Sequence, residues 1–271
     1  MFSKNGTYYT EEHSITFGNI IQVIHEGLVY DEFNPIANTW ADWHLIPSTR
    51  PSIAHPNVVT KYVDIPGVDG MFDLSDYLTG RPTYGRRKGS ISFYVDNDHE
   101  YWERIREKIV NVLHGRDLWM VLEDDPGYFY KGRFTVGNYE SGENCSSITL
   151  SYDLEPFKKK VKEEGSTPLP WDTFNFENDY DYYSSMGSEI TVNNQTKTFS
   201  IYMDTFSVTP VAVWVSGTVS ITFGGSTQIL SSAGSKTLGT EISWDFDGHN
   251  TRTLTVSGTG SVKVKWRGGS L

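Results

Sequence analysis

Cysteine is nearly absent from this sequence of 271 residues, in which Cys145 stands alone. A single thiol cannot form an internal disulfide, so the fold does not depend on oxidising conditions and is expected to form in a cytoplasm. The N-terminal stretch lacks the basic start and apolar core of a signal peptide. No apolar run approaches the length that crosses a bilayer, so we predict no contact with a membrane.

Positive charge is also scarce. The sequence has 23 Lys and Arg residues against 34 Asp and Glu residues, which gives a formal net charge of -11. A general nucleic-acid binder needs a basic face that displaces counterions from phosphates. The charge balance therefore argues against that class of protein.

Motifs for catalysis and cofactor binding are missing as well. The seven histidines are scattered, and no pair has the one-turn helical spacing of a zinc protease. There is no Gly-x-Ser-x-Gly elbow, no phosphate-binding loop and no dinucleotide fingerprint. The sequence predicts no cofactor, no metal site and no enzymatic activity.

What the chain does have is 14% aromatic residues and 25 glycines, which favours many short strands and tight turns. One helix is predicted in "DNDHEYWERIREKIVNVLHGR", capped by Asn97 or Asp98 and stopped by Gly115. Its apolar stripe is Trp102, Ile105, Ile109 and Val112 or Leu113. Alternating strands surround this helix, so residues 1–158 are predicted to form a β-sandwich-like domain with one α-helix.

A change of composition marks a second domain. The stretch "KKKVKEEGSTPLP" combines a charge run with glycine and prolines, and residues 159–170 are predicted to be a linker. Residues 171–271 become poor in charge and rich in Thr, Ser, Val and Gly. Eight short strands with turn residues between them predict a jelly-roll or lectin-like β-sandwich, so the whole chain is mainly β with two domains.

The segment "WDFDGHN" is the least structural part of this second domain. Trp244, Asp247 and His249 lie within it and could contact a sugar or a protein partner. Burial of a strand tryptophan in the core, and an ordinary turn for the rest, are the competing interpretations. Both interpretations stay open at this point.

Three consecutive acids, Glu123 to Asp125, raise the question of an acidic active site in "LEDDPGY". Asp125, Pro126 and Gly127 have the residue types of a type II turn, with Pro126 presetting one φ angle and Gly127 tolerating a positive one. A glycosidase needs two carboxyl groups that face each other across a sugar, and no second acid is identifiable. The corner is therefore predicted to be a structural turn, with a hydrolase as the minor alternative.

Four segments in consistent order carry a resemblance to a known family: "WADWHLIPSTRP", "VDIPGVDGMFDLSDYLTGRPTYGRRKGSISFYV", "LHGRDLWMVLEDDPGYFYKGRF" and "SSITLSYDLEPFK". From about Ser14 to Lys158 the chain resembles the N-terminal domain of distal tail (Dit) proteins of phages and prophages with long non-contractile tails. From "WDTFNFEND" to "VKVKWRGGSL" it looks like the C-terminal galectin-like sandwich of the same family.

The resemblance implies a structural role at the virion tail tip. It implies a hexameric ring that joins the tail tube protein to the tail-tip or baseplate proteins, assembled in the cytoplasm of the bacterial host. DNA would pass through the ring without sequence-specific binding, and the family has no catalytic residues. A carbohydrate-binding module that contributes to host-surface adsorption is the alternative from a different class.

Overall fold

The computed structural model describes residues 13–25, 28–67, 69–77, 82–95, 101–141, 146–161, 189–203, 209–239 and 250–271. The chain separates into two compact units, Met1–Lys158 (unit 1) and Lys159–Leu271 (unit 2). Strands dominate both units, so the mainly β, multi-domain class predicted from the sequence is confirmed.

Unit 1 contains eleven complete strands and one α-helix among its described residues. They are β1 (Ile15–His25), β2 (Leu28–Asn38), β3 (Leu45–Pro47), β4 (Val58–Val59), β5 (Tyr62–Asp64), β6 (Met71–Asp73), β7 (Thr83–Tyr84), β8 (Arg87–Val95), α1 (Trp102–Leu113), β9 (Asp117–Leu122), β10 (Asp125–Ser141) and β11 (Ser146–Leu154). No helix in the described parts of the chain is long and apolar enough to cross a membrane.

The main sheet of unit 1 has the strand order β2-β1-β9-β10-β11-β8-β3, and all neighbours are antiparallel. Along β11 every second residue is buried, from Ser146 to Leu154, as the alternating sequence predicts. The buried face carries a cluster of aromatic and aliphatic side chains, in which Phe17 and Phe134 meet edge to face with centroids 5.0 Å apart.

Helix α1 packs on this core through the predicted stripe, since Trp102, Ile105, Ile109 and Leu113 are all buried. The helix begins at Trp102, whereas the predicted cap residues Asn97 and Asp98 lie outside the described residues. At its other end the Gly115 backbone N–H donates a 2.8 Å hydrogen bond to the Phe134 carbonyl, which joins the helix to β10.

A long insertion, residues 48–86, separates β3 from β8. Two short antiparallel pairs form inside it, β4 with β7 and β5 with β6, and the Gly85 N–H donates to the Asn57 carbonyl at 2.8 Å. We call the described residues between Val58 and Tyr84, namely 58–67, 69–77 and 82–84, the ribbon. Few of its side chains can be buried, because each pair consists of only two or three residues per strand.

The predicted linker, residues 159–170, begins with ordered structure. Lys158–Lys160 form the short strand β12, and the Lys160 N–H donates to the Gly268 carbonyl at 2.9 Å. Residues 162–170 lie outside the described residues, so their role as a linker stays a prediction.

In the described residues of unit 2 the strands are fewer and longer than the eight predicted. They are β13 (Ile190–Met203), β14 (Val211–Phe223), β15 (Ser226–Leu230), β16 (Ser235–Thr237), β17 (Asn250–Lys265) and β18 (Gly269–Ser270). Antiparallel pairing joins β13, β17, β14 and β15 in that order, and β16 also pairs with β14. Three of these strands each merge two predicted ones.

The mergers occur because residues that look like turn signals lie inside continuous strands. Asn194, Gly217 and Gly260 have positive φ angles, and the register of β13 and of β14 shifts beside Asn194 and just before Gly217. Gly217 and Gly260 face each other across the sheet, so an added Cβ on either would collide with backbone of the other strand. These positions form a line across three strands at which the sheet bends, rather than three turns that end strands.

One apolar core serves both halves of the bent strands. It contains Val192, Val219, Leu254 and Val262 among others, and Trp266 lies within it. Trp214 packs against this core, and its indole N–H donates to the Gly217 carbonyl at 2.8 Å. Both tryptophans therefore serve the packing of unit 2.

Candidate assembly surfaces

The acidic corner turns earlier than the sequence predicts. β9 ends at Leu122, Asp125 pairs with Leu122, and the two turn residues between them are Glu123 and Asp124. Gly127 does not have a positive φ angle, so the predicted type II turn over Asp125, Pro126 and Gly127 is not formed. The register shifts between Asp125 and Phe129, and Pro126 lies in this bulge because it has no N–H for the ladder.

Two of the three acids hold cations. Asp124 contacts the His13 Nδ1 atom at 2.8 Å and the Arg50 Nε atom at 3.2 Å. Asp125 accepts a 2.6 Å hydrogen bond from Lys158 Nζ, which also lies 4.1 Å from the centre of the Tyr128 ring. These pairs fasten the N-terminal segment, the insertion and the end of unit 1 to one corner, which is a structural use of the acids.

The candidate sugar contacts, Trp244, Asp247 and His249, lie outside the described residues, so a carbohydrate site there stays a prediction. In the described segments, no group of three or more His, Cys, Asp or Glu side chains is arranged to hold a metal ion. The features left for a functional site are surfaces that could bind another protein.

The ribbon is the most prominent such surface. Met71, Phe72 and Tyr77 are 69%, 58% and 79% exposed. Four further large apolar residues of the ribbon are also exposed: Val58, Val59, Tyr62 and Ile65. Monomeric proteins seldom leave apolar side chains clustered in water, so such a group marks an interaction surface.

The ribbon is also acidic. Its described residues contain one lysine and four aspartates, namely Lys61, Asp64, Asp69, Asp73 and Asp76. Ser75 donates backbone and hydroxyl hydrogen bonds to Asp73 Oδ1 at 2.9 and 2.5 Å, and these bonds lower the pKa of that carboxyl. Asp73 therefore carries its negative charge at neutral pH.

The base of the insertion is fixed by side chains from the main sheet. The Ala54 N–H donates to the Tyr152 hydroxyl at 3.0 Å, and Arg87 Nη1 donates to the Ala54 carbonyl at 3.3 Å. Arg87 Nε also donates to the Pro156 carbonyl at 2.7 Å. The Tyr84 and Phe157 rings meet edge to face with centroids 5.8 Å apart.

The charged guanidinium of Arg87 is buried. Its guanidinium lies 5.5 Å from the centre of the Tyr130 ring, and the residue is only 2% exposed. Burial lowers the pKa of Arg87 and raises the pKa of Tyr130 to about 12, although the positive charge of Arg87 opposes the second shift. Arg87 Nη2 has no hydrogen-bond partner among the residues that the structure describes.

A second candidate surface is the hairpin of β1 and β2. The two strands pair from Thr16 to His25, whereas β1 pairs with β9 only over Ile15 to Gly18. Residues 19–25 and 28–34 therefore form a two-stranded extension, and Ile21 is 40% exposed within it. Isolated two-stranded extensions are marginally stable in water, so packing against a partner would stabilise this one.

The sequence alone did not identify either surface as exposed. The available signal was a set of apolar residues without the regular period that buries one face, between segments rich in Gly, Pro and Asp.

No family model and no curated protein matches this chain. Among solved structures, the chain is similar to the Dit protein of SPP1, described as a paradigm of the hub adsorption apparatus in phages that infect Gram-positive bacteria. The TM-score is 0.53 and the sequence identity is 12%, and the match covers 95% of this chain and 99% of that one. The predicted resemblance to Dit proteins is therefore confirmed at the level of the fold.

Proposed function

We propose that this chain is a structural component of a phage or prophage tail tip. Copies of unit 1 close into a ring, a hexamer by analogy with the Dit family, between the tail tube and the tail-tip or baseplate proteins. Unit 2 is available to the proteins of the adsorption apparatus. The chain has no catalytic role and needs no cofactor, and DNA passes through the ring without being recognised.

The observation that carries this proposal is the likeness to the SPP1 Dit protein over nearly the whole length of both chains. A match that extended over one β-rich unit alone would be weak support, because β-sandwich domains occur in proteins of many functions. Here the match to one solved chain extends over both units.

The exposed surfaces of unit 1 support self-assembly. In a closed ring each subunit uses two different patches, one to contact each neighbour. The ribbon supplies an apolar, acidic patch. Helix α1 and the residues after it expose three cations, Arg104, Lys108 and Arg116, among three acids, Glu103, Glu107 and Asp117, so they offer partners for ion pairs with the ribbon but no net positive charge.

The test is to examine the purified full-length chain by negative-stain microscopy and by light scattering after size-exclusion chromatography. We expect rings whose mass corresponds to six copies. Weakening of the rings by salt would agree with complementary charges at the contact. A monomer at all concentrations and salt conditions would contradict the self-assembling ring.

A further inference from the structure

We propose that Arg87 and Tyr152 are positioning residues for ring assembly, which together hold the backbone of Ala54 so that the ribbon is presented in one orientation. The inference rests on the proposed function, because it assumes that the ribbon contacts a second copy. Neither residue touches that copy, and each acts through the base of the insertion.

The geometry is a clamp on a single residue of the insertion, Ala54, from two adjacent strands. Tyr152, on β11, accepts a hydrogen bond from the Ala54 N–H, and Arg87, on β8, donates to the Ala54 carbonyl. A segment held at both its donor and its acceptor cannot slide or rotate without breaking one of these bonds. The clamp lies four residues before the ribbon begins at Val58.

Gly89 makes the Tyr152 contact possible. It pairs with Tyr152 in the β8–β11 ladder, and a Cβ at this position would lie 2.6 Å from Tyr152 Cζ and still closer to the hydroxyl oxygen. The tyrosine ring therefore lies across the glycine to reach the insertion. Any side chain at position 89 would displace the hydroxyl from Ala54.

Arg87 also ties the insertion to the chain that leaves unit 1, since its Nε atom binds the Pro156 carbonyl. The described residues give this buried guanidinium no carboxylate partner and give its Nη2 atom no hydrogen-bond acceptor. A buried charge with incomplete hydrogen bonding is a costly way to fill a core position, and an apolar residue of similar size is often as stable or more stable. Holding two backbone carbonyls from different segments is a positional use that an apolar residue could not provide.

The clamp can be tested with Tyr152→Phe, Arg87→Met and Gly89→Ala in the full-length protein. The readout is amide hydrogen exchange, followed by mass spectrometry, over peptides that span residues 52–64. We expect exchange there to rise roughly fivefold in each variant, as follows from the loss of about one hydrogen bond. Exchange in β9 and in the strands of unit 2 should not change.

Tyr139→Phe is the matched control. Tyr139 is a half-buried tyrosine whose buried hydroxyl oxygen has no hydrogen-bond partner in the described part of the chain, so the control removes the same atom without removing a bond seen there. It should leave exchange in the insertion as in the unmodified protein. Thermal unfolding distinguishes positioning from core stabilisation, because Arg87→Met should loosen the insertion without lowering the melting temperature of unit 1.

The outcomes separate this inference from the proposed function. Unchanged exchange at residues 52–64 in Tyr152→Phe would overturn the clamp, even if Arg87→Met failed to fold. If the unmodified chain forms rings and the loosened variants form them with equal yield, the positioning role is wrong. If the unmodified chain forms no rings, the proposed function fails, whereas the exchange experiment still tests the clamp itself.

Discussion

The ribbon of unit 1 and the outer face of the sheet in unit 2 are both exposed, but their side chains differ in whether they can form hydrogen bonds with water. The ribbon presents Met71, Phe72 and Tyr77. On the unit 2 sheet, a row of hydroxyl side chains crosses four paired strands: Thr198, Thr255, Thr222 and Thr227. Hydroxyl groups form hydrogen bonds with water or with one another, as Thr222 and Thr227 do at 2.9 Å. Burying apolar side chains against another protein surface, in contrast, lowers the free energy. The comparison predicts that, if the chain forms the proposed ring, unit 1 supplies the driving force for assembly.

The largest effect is expected from removing the apolar character of the ribbon. Met71→Ser combined with Phe72→Ser should abolish rings, because truncating central apolar contacts costs about 2 kcal/mol or more per interface. The unfolding temperature should hardly change, since both side chains are exposed in one copy. Size-exclusion chromatography with light scattering measures the assembly.

The matched control for the ribbon is Ile229→Ser, which removes a 57% exposed apolar residue from unit 2. Rings should form normally in this variant. Loss of rings in both proteins, or in Ile229→Ser alone, would show that the comparison assigns assembly to the wrong unit.

A smaller, local effect is expected at the bend of unit 2. Gly260→Ala forces a residue with a side chain into a φ of +152° and against the Ser216 carbonyl, at a cost of about 1–3 kcal/mol. Calorimetry should show the unfolding transition of unit 2 at lower temperature while that of unit 1 stays in place. A variant whose two transitions match those of the unmodified chain would contradict the bend.

Alkaline pH should affect the two units unequally through Tyr130. Its pKa is raised to about 12 in the folded state from an ordinary 10.0, so the folded state favours the neutral phenol. This contribution to stability is complete below pH 10 and is lost as the pH rises from 10 to 12. Tyr130→Phe should flatten that part of the stability curve of unit 1, measured by urea unfolding, relative to the unmodified protein.

Adding apolar surface to unit 2 is expected to have a weaker effect on stability. Thr222→Val and Thr255→Val exchange neighbouring hydroxyls for methyl groups and should each change the stability by about 0.5 kcal/mol or less. The double variant should still form rings through unit 1 and should in addition associate through unit 2 into larger, irregular species, which microscopy would distinguish. Normal solubility and unchanged assembly would show that the hydroxyl face matters less than the comparison claims.

The smallest effect concerns the acidic corner. Because Gly127 does not have a positive φ angle and a Cβ there would meet nothing within 4 Å, Gly127→Ala should shift the stability by at most about 0.5 kcal/mol, measured by thermal unfolding. The turn predicted from the sequence would instead require a much larger loss. Glu123→Gln serves as a neutral control, since Glu123 is exposed.

Local patterns predicted the elements whose environment is set by periodicity. The stripe from Trp102 to Leu113 and the alternation along β11 follow from the need to bury one face, and both are present. Position within the sheet could not be read in the same way. Asp125–Gly127 have the residue types of a turn, but Asp125 joins the ladder opposite Leu122 and binds Lys158, a residue 33 positions away.

The glycines of unit 2 show the same limit. The sequence predicts that one strand ends at Gly217 and that Gly260 lies in a turn between two others, because a sequence window does not reveal that these two residues face each other. Exposure of the ribbon was also hidden from the sequence. An apolar residue is normally assigned to a hydrophobic core, and only the three-dimensional structure shows that Phe72 is exposed instead.

The line of bends in unit 2 has a consequence for how such a chain can change in evolution. The bulges and glycines of three strands must stay aligned, so gaining or losing one residue in any of β13, β14 or β17 would move its bend away from the other two. Every side chain beyond that point would also be turned to the opposite face. Homologous chains should therefore keep the lengths of these strands constant while their residues diverge, and should accept insertions only in the connections between strands.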